Sequence, residues 1–264
     1  MCSKFEVKEV VLKAIILAAG MGTRIKRITE VIPKILTKLG NNSILDFQLK
    51  SLKFAGIEEV VIVVGYMKEK IYTYLENVKY HIPNIEYVYN SRFAETNNAY
   101  SLYLALKSIQ MKLENESVLI LDGDIIFDPK ILLKLAPYKN VCVCDGSRVP
   151  SEEDAKVLID KGGLVKGVGK EFESQLIYTS IIKMGGKLLK EFYEEISKAE
   201  YENVWYSIPL TKLLNTNKSA KIKAVCTTSV VECELDTEED FVIMKDFYTK
   251  LIKKYPFIEE SRDE

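Results

Sequence analysis

The most informative segment of this chain reads Leu17-Ala18-Ala19-Gly20-Met21-Gly22-Thr23-Arg24. It follows the apolar run 14–17, which is typical of a buried strand. Glycine lets the backbone approach a ligand closely, and N–H groups at a strand-to-helix turn bind phosphate oxygens. Arg24, and Lys34 ten residues further on, supply two cations for the same anion. The segment therefore predicts a binding site for a nucleoside triphosphate.

Two other glycine loops that bind phosphate match this chain poorly. A dinucleotide-binding turn needs a third glycine, and Ile25 stands at that place. A Walker-type loop ends in Gly-Lys-Ser/Thr, whereas the Gly-Lys pairs here are Gly169-Lys170 and Gly186-Lys187. Glycines alone would also be compatible with an ordinary turn that carries surface cations.

The whole segment, followed by Pro33-Lys34, resembles the signature of the nucleotidyltransferase family that makes nucleotide sugars and CDP-alcohols. The resemblance extends from Lys13 to about Tyr248 and implies that residues 17–24 and Lys34 bind the nucleotide. It further implies catalysis by Arg24 and Lys34 on the charged phosphates, without a protein nucleophile. Residues 26–29 depart from the family, because they read Lys-Arg-Ile-Thr where many members have x-Pro-Leu-Thr.

Strand-like and helix-like segments alternate from residue 13 to about residue 145. This alternation predicts an α/β protein with a mostly parallel, Rossmann-like central sheet and helices on both faces, the GT-A-like fold of the family. Further on, Lys161-Gly162-Gly163 separates two strand-like segments and predicts a hairpin in a small antiparallel acceptor-side subregion. We expect one domain over residues 1–264, with a nucleotide-binding half at 13–145 and an acceptor-binding half at 146–250.

Ligands of such sheets bind beyond the carboxyl ends of the strands, and several polar residues follow predicted strands. The amides of the loop after residue 89 offer both donors and acceptors, which suits a base edge or a ribose. Asn98 has a simpler alternative role as a helix N-cap. We therefore expect the nucleotide to contact Asn90, Asn97, Asn98 and Ser101.

Two aspartates are candidate ligands of Mg²⁺, which prefers hard oxygen ligands. The resemblance assigns this role to Asp124 of Asp122-Gly123-Asp124 and to Asp236 of Glu234-Leu235-Asp236-Thr237. Asp122 and Glu234 have weaker support. The structural alternatives are a solvated turn for Asp-Gly-Asp and a helix cap for Asp236.

Lys170 lies where the family often has a lysine that binds the phosphate of the acceptor, and we group Glu171 with it as acceptor-binding. The alternative is an exposed lysine after a hairpin. Residues 95–102, Glu-Thr-Asn-Asn-Ala-Tyr-Ser-Leu, resemble the Asn-x-Tyr-Ser-Leu of cytidylyltransferases acting on phosphoalcohols. Residues 206–210, Tyr-Ser-Ile-Pro-Leu, resemble the inositol-1-phosphate enzymes.

The resemblance therefore implies transfer of CMP from CTP to a phosphoalcohol, with inositol-1-phosphate as the first expectation and CDP-inositol and pyrophosphate as products. Phosphocholine is an alternative, for which an aromatic or acidic cage would have to bind the quaternary ammonium. A sugar-1-phosphate with UTP or dTTP is another. A non-catalytic regulatory subunit and a dinucleotide-dependent oxidoreductase are alternatives from other classes.

Composition limits the partners and the location that we expect. Lys plus Arg (37) and Asp plus Glu (38) nearly cancel, which gives no reason to expect a nucleic acid. No apolar run could span a bilayer and no signal peptide is recognisable, so we expect a cytoplasmic protein. A separate membrane transferase would then use the product. The sequence leaves open whether the chain forms a homo-oligomer. Scarce glutamine with abundant Lys, Glu and Ile points weakly to a thermophile.

The five cysteines are an odd, scattered set, which argues against a disulfide framework. Cys142 and Cys144 alternate in a strand-like run, and we expect both to be reduced core residues. His81 is the single histidine, which disfavours a zinc site or a histidine-based catalytic triad.

Overall fold

Within the residues that the structure describes (12–25, 29–77, 84–110 and 113–259), a nine-stranded mixed sheet forms the centre of this computed structural model. Its strands, in chain order, are β1 (Leu12–Ala18), β2 (Glu59–Val64), β3 (Asn84–Tyr89), β4 (Ser117–Asp122), β6 (Val141–Asp145), β7 (Lys156–Ile159), β8 (Val165–Gly169), β9 (Ile177–Gly185) and β10 (Lys223–Thr227). A separate pair is formed by β5 (Ile125–Phe127) and β11 (Glu232–Glu234).

Helices cover both faces of this sheet. They are α1 (Ile44–Phe54), α2 (Lys68–Asn77), α3 (Asn98–Ser108), α4 (Lys130–Lys134), α5 (Lys187–Ile196), α6 (Ser207–Thr216) and α7 (Glu238–Lys254). Helices α1, α2, α4 and α7 contribute to one apolar cluster, whereas α3, α5 and α6 contribute to the other. None of the described helices is long and apolar enough to cross a membrane.

The sheet has the strand order β10-β6-β9-β4-β1-β2-β3. Strand β1 is parallel to β2 and β4, and the pairs β2–β3 and β6–β10 are parallel as well. Strand β9 is antiparallel to both β4 and β6, and the hairpin β7–β8 is attached to it. The mostly parallel central sheet and its antiparallel part are confirmed.

Strand β9 is more central than expected, because it lies inside the main sheet rather than in a subregion beside it. Its last five residues, 181–185, are all buried. Since neighbouring side chains of a strand point to opposite faces, such a run needs cover on both sides. Strand β1 illustrates the same rule: Ile15 and Leu17 pack in one cluster, and Ala14 and Ile16 in the other.

Capping residues define where three helices begin, and they leave neighbouring polar residues for other contacts. Ser43 caps α1 in a capping box with Asp46. Thr237 caps α7 in the same way with Asp240, so Asp236 is not the cap of this helix. Asn97, not Asn98, is the N-cap of α3.

Cys142 and Cys144 are fully buried, as expected, and burial raises the pKa of the Cys142 thiol above its usual range. Cys226 of β10 is exposed, and its sulfur lies 2.7 Å from that of Cys144 on β6. The described cysteines are free thiols.

Candidate active site

A cavity of about 410 Å³ opens where β1 and β4 end. A second one of about 270 Å³ adjoins it at residues 17–24, which we call the glycine segment. The two cavities share residues that the sequence singled out, namely Leu17, Gly20, Arg24, Asn97, Asp124 and Asp236. Residues from both the first and the second half of the chain line the larger cavity. The position agrees with the rule that ligands of such sheets bind at the carboxyl ends of strands.

The glycine segment leaves room for a ligand on one side and is packed tightly on the other. Gly22 has a φ of +60°, and a Cβ there would lie 2.6 Å from Cγ2 of Thr29. The Thr29 hydroxyl donates a hydrogen bond to the Gly22 carbonyl at 2.9 Å. At Gly20 a Cβ would meet no atom within 4 Å. Because Gly20 faces open space in both cavities, a phosphate can approach the backbone here.

Lys34 and Arg24 both contact the aspartates. Nζ of Lys34 lies 2.7 Å from Oδ2 of Asp124 and 2.7 Å from Oδ1 of Asp236. Nη2 of Arg24 lies 2.7 Å from Oδ2 of Asp236. Burial disfavours the charged form of Lys34, but the two carboxylates outweigh it and raise the pKa of Lys34 above its usual range. Lys34 is therefore a cation held between two anions.

Short backbone contacts bring the two aspartates together. The Gly123 N–H donates to the Leu17 carbonyl at 2.9 Å, and a Cβ on Gly123 would lie 2.6 Å from that oxygen. The Leu235 N–H donates to the Asp124 carbonyl at 3.0 Å, next to the β5–β11 pairing. Because a side chain at position 123 would collide with the Leu17 carbonyl oxygen, only glycine fits there. The Asp-Gly-Asp turn therefore packs directly against the glycine segment.

Three carboxylates have the chemistry of a site for a divalent cation. Asp124, Glu234 and Asp236 each offer an oxygen, and these oxygens lie within 4.8 Å of one another. Oδ1 of Asp124 is buried without a hydrogen-bond partner among the described residues. Burial, followed by the charges of Asp124 and Asp236, raises the pKa of Glu234 to about 10. An unpaired oxygen in an excess of negative charge fits a hard cation such as Mg²⁺. Asp122 is not part of this cluster.

The larger cavity is lined by four polar residues that follow β3, namely Asn90, Asn97, Asn98 and Ser101. We call them the asparagine loop, and hydrogen bonds hold them in place. Nδ2 of Asn90 donates to the hydroxyls of Thr96 and Ser101, at 3.1 and 3.0 Å. Oδ1 of Asn98 accepts a hydrogen bond of 2.9 Å from the Tyr206 N–H. The loop is thereby connected to the segment that begins α6. Asn97, besides capping α3, also lines the smaller cavity.

Of the two predicted acceptor-binding residues, the larger cavity includes Lys170 but not Glu171. Nζ of Lys170 lies 2.7 Å from Glu153 and 5.1 Å from the ring centre of Trp205. The Glu171 carboxylate lies against Gly169 instead. Met21 of the glycine segment is likewise outside the lining of both cavities, whereas its neighbours Gly20 and Gly22 take part.

Several wall residues were not found from the sequence. We call Gly20, Arg24, Lys34, Asp124 and Asp236 the phosphate end of the site, and the wall formed by Asp122, Tyr178, Ser180, Trp205 and Tyr206 the acceptor end. The hydroxyls of Tyr178 and Tyr206 lie 2.6 Å apart. A usable signal was present in β9, where the polar pair 179–180 stands between the hydrophobic pairs 177–178 and 181–182.

Comparisons with known proteins identify the family of this chain. The MobA-like NTP transferase domain matches residues 14–152. The choline-phosphate cytidylyltransferase of Streptococcus pneumoniae is 42% identical over 98 residues, which are 37% of this chain and 41% of that protein. The CTP:phosphoglutamine cytidylyltransferase of Campylobacter jejuni is 28% identical over 261 residues, 88% of this chain and 98% of that protein.

A solved structure has the same fold. The inositol-1-phosphate CTP transferase from T. maritima has a TM-score of 0.73 and 23% identity, and the match covers 95% of this chain and 97% of that one. The resemblance inferred from residues 17–34 is thus confirmed at the level of family and fold. This chain is a nucleotidyltransferase and belongs to the family of MobA-like NTP transferase domains.

Proposed function

We propose that this chain is a Mg²⁺-dependent cytidylyltransferase that transfers CMP from CTP to the phosphate of a small phosphoalcohol and releases pyrophosphate. The observation that carries the proposal is the contact of Lys34 with Asp124 and Asp236 beside the open backbone at Gly20. The names of the two sequence relatives support CTP as the nucleotide.

The reaction needs no nucleophile from the protein. A phosphate oxygen of the acceptor attacks the α-phosphorus of CTP, the bond to the β-phosphate oxygen breaks, and pyrophosphate leaves. Both reactants are anions, so catalysis consists of aligning them and neutralising their charge. In this proposal Arg24 and the backbone N–H groups near Gly20 bind the β- and γ-phosphates. Lys34 stabilises the charge that develops around the α-phosphate.

Asp124, Glu234 and Asp236 would hold the metal ion, whose bound positive charge reduces the repulsion between the two phosphates. With a cation held there, Asp124 and Asp236 would not depend on Lys34 for neutralisation, and Lys34 would be available to the nucleotide. Mg²⁺ is the proposed ion because it combines carboxylate ligands with substrate phosphates.

The acceptor end supports phosphocholine, or a related phosphate with a cationic head group, as the first candidate acceptor. Trp205 and Tyr178 present aromatic rings to the cavity, and Asp122 and Glu153 present carboxylates. Aromatic faces and carboxylates attract quaternary ammonium groups. The sequence alone could not bring these rings and carboxylates together.

Inositol-1-phosphate, the acceptor expected from the sequence, is the second candidate. The observation in its favour is a group of hydroxyls in the same wall, from Tyr178, Ser180 and Tyr206, which could bind the hydroxyls of a polyol. With either acceptor the product is a CDP-alcohol. We further propose that a separate transferase, expected in a membrane, consumes this product.

The test is pyrophosphate release with Mg²⁺, pairing CTP, UTP, dTTP, ATP and GTP with phosphocholine, inositol-1-phosphate and glucose-1-phosphate. We expect release with CTP and one of the two phosphoalcohols. Release that requires glucose-1-phosphate and UTP or dTTP would contradict the assignment of the asparagine loop. Tight CTP binding without release from any pair would favour the regulatory subunit.

A further inference from the structure

Cys144 and Cys226 form a pair of thiols that the proposed function does not use. Strands β6 and β10 are parallel, and their register sets Cys226 directly opposite Cys144. Because opposite residues of two parallel strands point to the same face of the sheet, their sulfurs meet, and they lie 2.7 Å apart. Both thiols are free, and neither residue lines one of the two cavities.

The two strands already have the spacing that a disulfide bond requires. Neighbouring strands of a sheet lie about 4.8 Å apart. The Cα atoms of a disulfide usually lie about 4.4–6.8 Å apart, and its sulfurs about 2.04 Å apart. A bond between Cys144 and Cys226 therefore needs a small movement of two side chains and no movement of the strands.

The two thiols differ in their access to solvent. Cys226 is exposed on β10, the first strand in the order of the sheet, whereas Cys144 is buried on β6. Burial, followed by the hydrogen bond with Cys226, raises the pKa of the Cys144 thiol above its usual range. Because the thiolate is the reactive form of cysteine, Cys226 is the thiol that an external reagent attacks first, and Cys144 lies behind it.

The register of the strands gives the other described cysteines no thiol directly opposite. Cys142 faces Ala224 on β10 and Ile182 on β9. Cys233 faces Ile126 in the separate β5–β11 pair. Among the cysteines that the structure describes, the register therefore selects the single pairing of positions 144 and 226.

We infer that Cys144 and Cys226 form a modification site for low-molecular-mass disulfides, such as glutathione disulfide, which oxidise the pair to an intramolecular disulfide bond. The sulfur of Cys226 attacks the reagent, one glutathione thiol leaves, and a mixed disulfide remains on Cys226. Cys144 gives up its proton and attacks the sulfur of Cys226, so that the second glutathione thiol leaves. Two protein thiols are oxidised and one reagent disulfide is reduced.

The bond would close the part of the chain that carries most of the acceptor end. Positions 144 and 226 enclose four residues of that end, namely Tyr178, Ser180, Trp205 and Tyr206. Tyr178 also faces Cys144 in the β6–β9 pairing. A disulfide that closes a long loop stabilises a protein largely by restricting its unfolded chain. We therefore expect the oxidised protein to have a Tm about 5 °C above that of the reduced protein.

The experiment treats the folded, reduced protein with an excess of glutathione disulfide and blocks the remaining thiols with N-ethylmaleimide as the protein is unfolded. Tryptic peptides are then weighed without reduction. Trypsin leaves Cys142 and Cys144 together in residues 140–148, and Cys226 and Cys233 together in residues 224–245. We expect these two peptides to be joined, with the loss of two hydrogen atoms. Cys142→Val and Cys233→Ser are the matched controls within the same peptides, and both should retain the link.

Two further variants test the order of the steps. Cys226→Ser removes the accessible thiol and should abolish both the link and the rise in Tm. Cys144→Val keeps an apolar side chain that suits a buried strand, and it should hold one glutathione on Cys226. Because Cys226 is exposed, Cys226→Ser should fold normally, which keeps the inference testable if the buried variant does not fold.

Three results would overturn the inference: a wild-type protein that stays fully reduced, a wild-type protein that retains glutathione on Cys226 without forming the link, and a link that persists in Cys226→Ser. A Tm that does not rise when the link forms would overturn its stabilising role. None of these measurements requires catalytic activity, so a failure of the proposed CMP transfer leaves them unaffected.

Discussion

The phosphate end of the cavity is made of residues from the loops that follow β1, β4 and β11, together with Lys34. The acceptor end depends instead on the segment before α6 and on β9, whose pairing with β6 is interrupted by a bulge. At the phosphate end, each charged group contacts another at 2.7 Å, as in Lys34 with Asp124 and Asp236. At the acceptor end, Trp205 is 42% exposed and borders open space. We propose that the phosphate end performs the nucleotidyl transfer and that the acceptor end selects the acceptor.

The largest effect should come from the phosphate end. Asp124→Asn removes a negative charge from the carboxylate cluster and one anion from Lys34. Loss of one such electrostatic contact costs about 10²–10³-fold in kcat, and the loss should be similar for every acceptor. Pyrophosphate release measures this loss of kcat. Asp246→Asn, at an exposed carboxylate of α7, is the control. A loss confined to one acceptor would contradict the division between the two ends.

A smaller and more selective effect is expected from Trp205→Ala at the acceptor end. Loss of an aromatic face should lower kcat/KM for phosphocholine about tenfold through a higher KM. The KM for CTP should stay near its wild-type value, because Trp205 lines the larger cavity but not the one at the glycine segment. Tyr138→Ala, at an exposed ring outside both cavities, is the control. If both KM values rise together, the two ends are not separate.

Asn98→Ala tests the connection between the asparagine loop and the acceptor end. It removes the acceptor of the hydrogen bond from the Tyr206 N–H and should lower the free energy of unfolding by about 1 kcal/mol. Because Tyr206 belongs to the acceptor end, KM for the acceptor should rise as well. Urea denaturation and steady-state kinetics measure the two effects. Asn98→Asp retains the accepting oxygen and should behave more like the wild type; if it loses as much as Asn98→Ala, the hydrogen bond is not the cause.

The smallest effect on catalysis should come from a residue that lines neither of the two cavities. Ser43→Ala removes the N-cap of α1 and should lower the free energy of unfolding by about 1 kcal/mol. The activity of the folded protein should not change. Thr249→Ala, on an exposed face of α7, should cost less in the same urea titration. Reduced kcat in Ser43→Ala would mean that α1 contributes to the site.

The phosphate end could be predicted from the sequence because short motifs specify it locally. The glycine segment, Lys34 and Asp124 each follow a recognisable strand or turn, and parallel strands bring their carboxyl ends to one edge of the sheet. Asp236 lies in this neighbourhood, and its alternative role as a helix cap is taken by Thr237. The roles of these residues in CMP transfer stay predictions.

The acceptor end could not be predicted, because it depends on contacts that no local pattern encodes. The insertion of β9 between β4 and β6 is a matter of long-range pairing, and Ser180, with its positive φ, lies where the pairing with β6 is irregular. Strand β5 is three residues long and too short for a periodicity to be recognised. Glu171 was predicted to bind the acceptor because it is next to Lys170 in the sequence. Lys170 lines the cavity but Glu171 does not, so sequence proximity alone was not a sufficient guide.

Phosphorus NMR of CTP incubated with Mg²⁺, this protein and phosphocholine or inositol-1-phosphate tests the central claim most directly. Attack at the α-phosphorus predicts the pyrophosphate signal together with the paired signals of a CDP-alcohol, in equal amounts, from one of the two acceptors. An unchanged CTP spectrum with both acceptors, or conversion of CTP to CDP and orthophosphate, would contradict it.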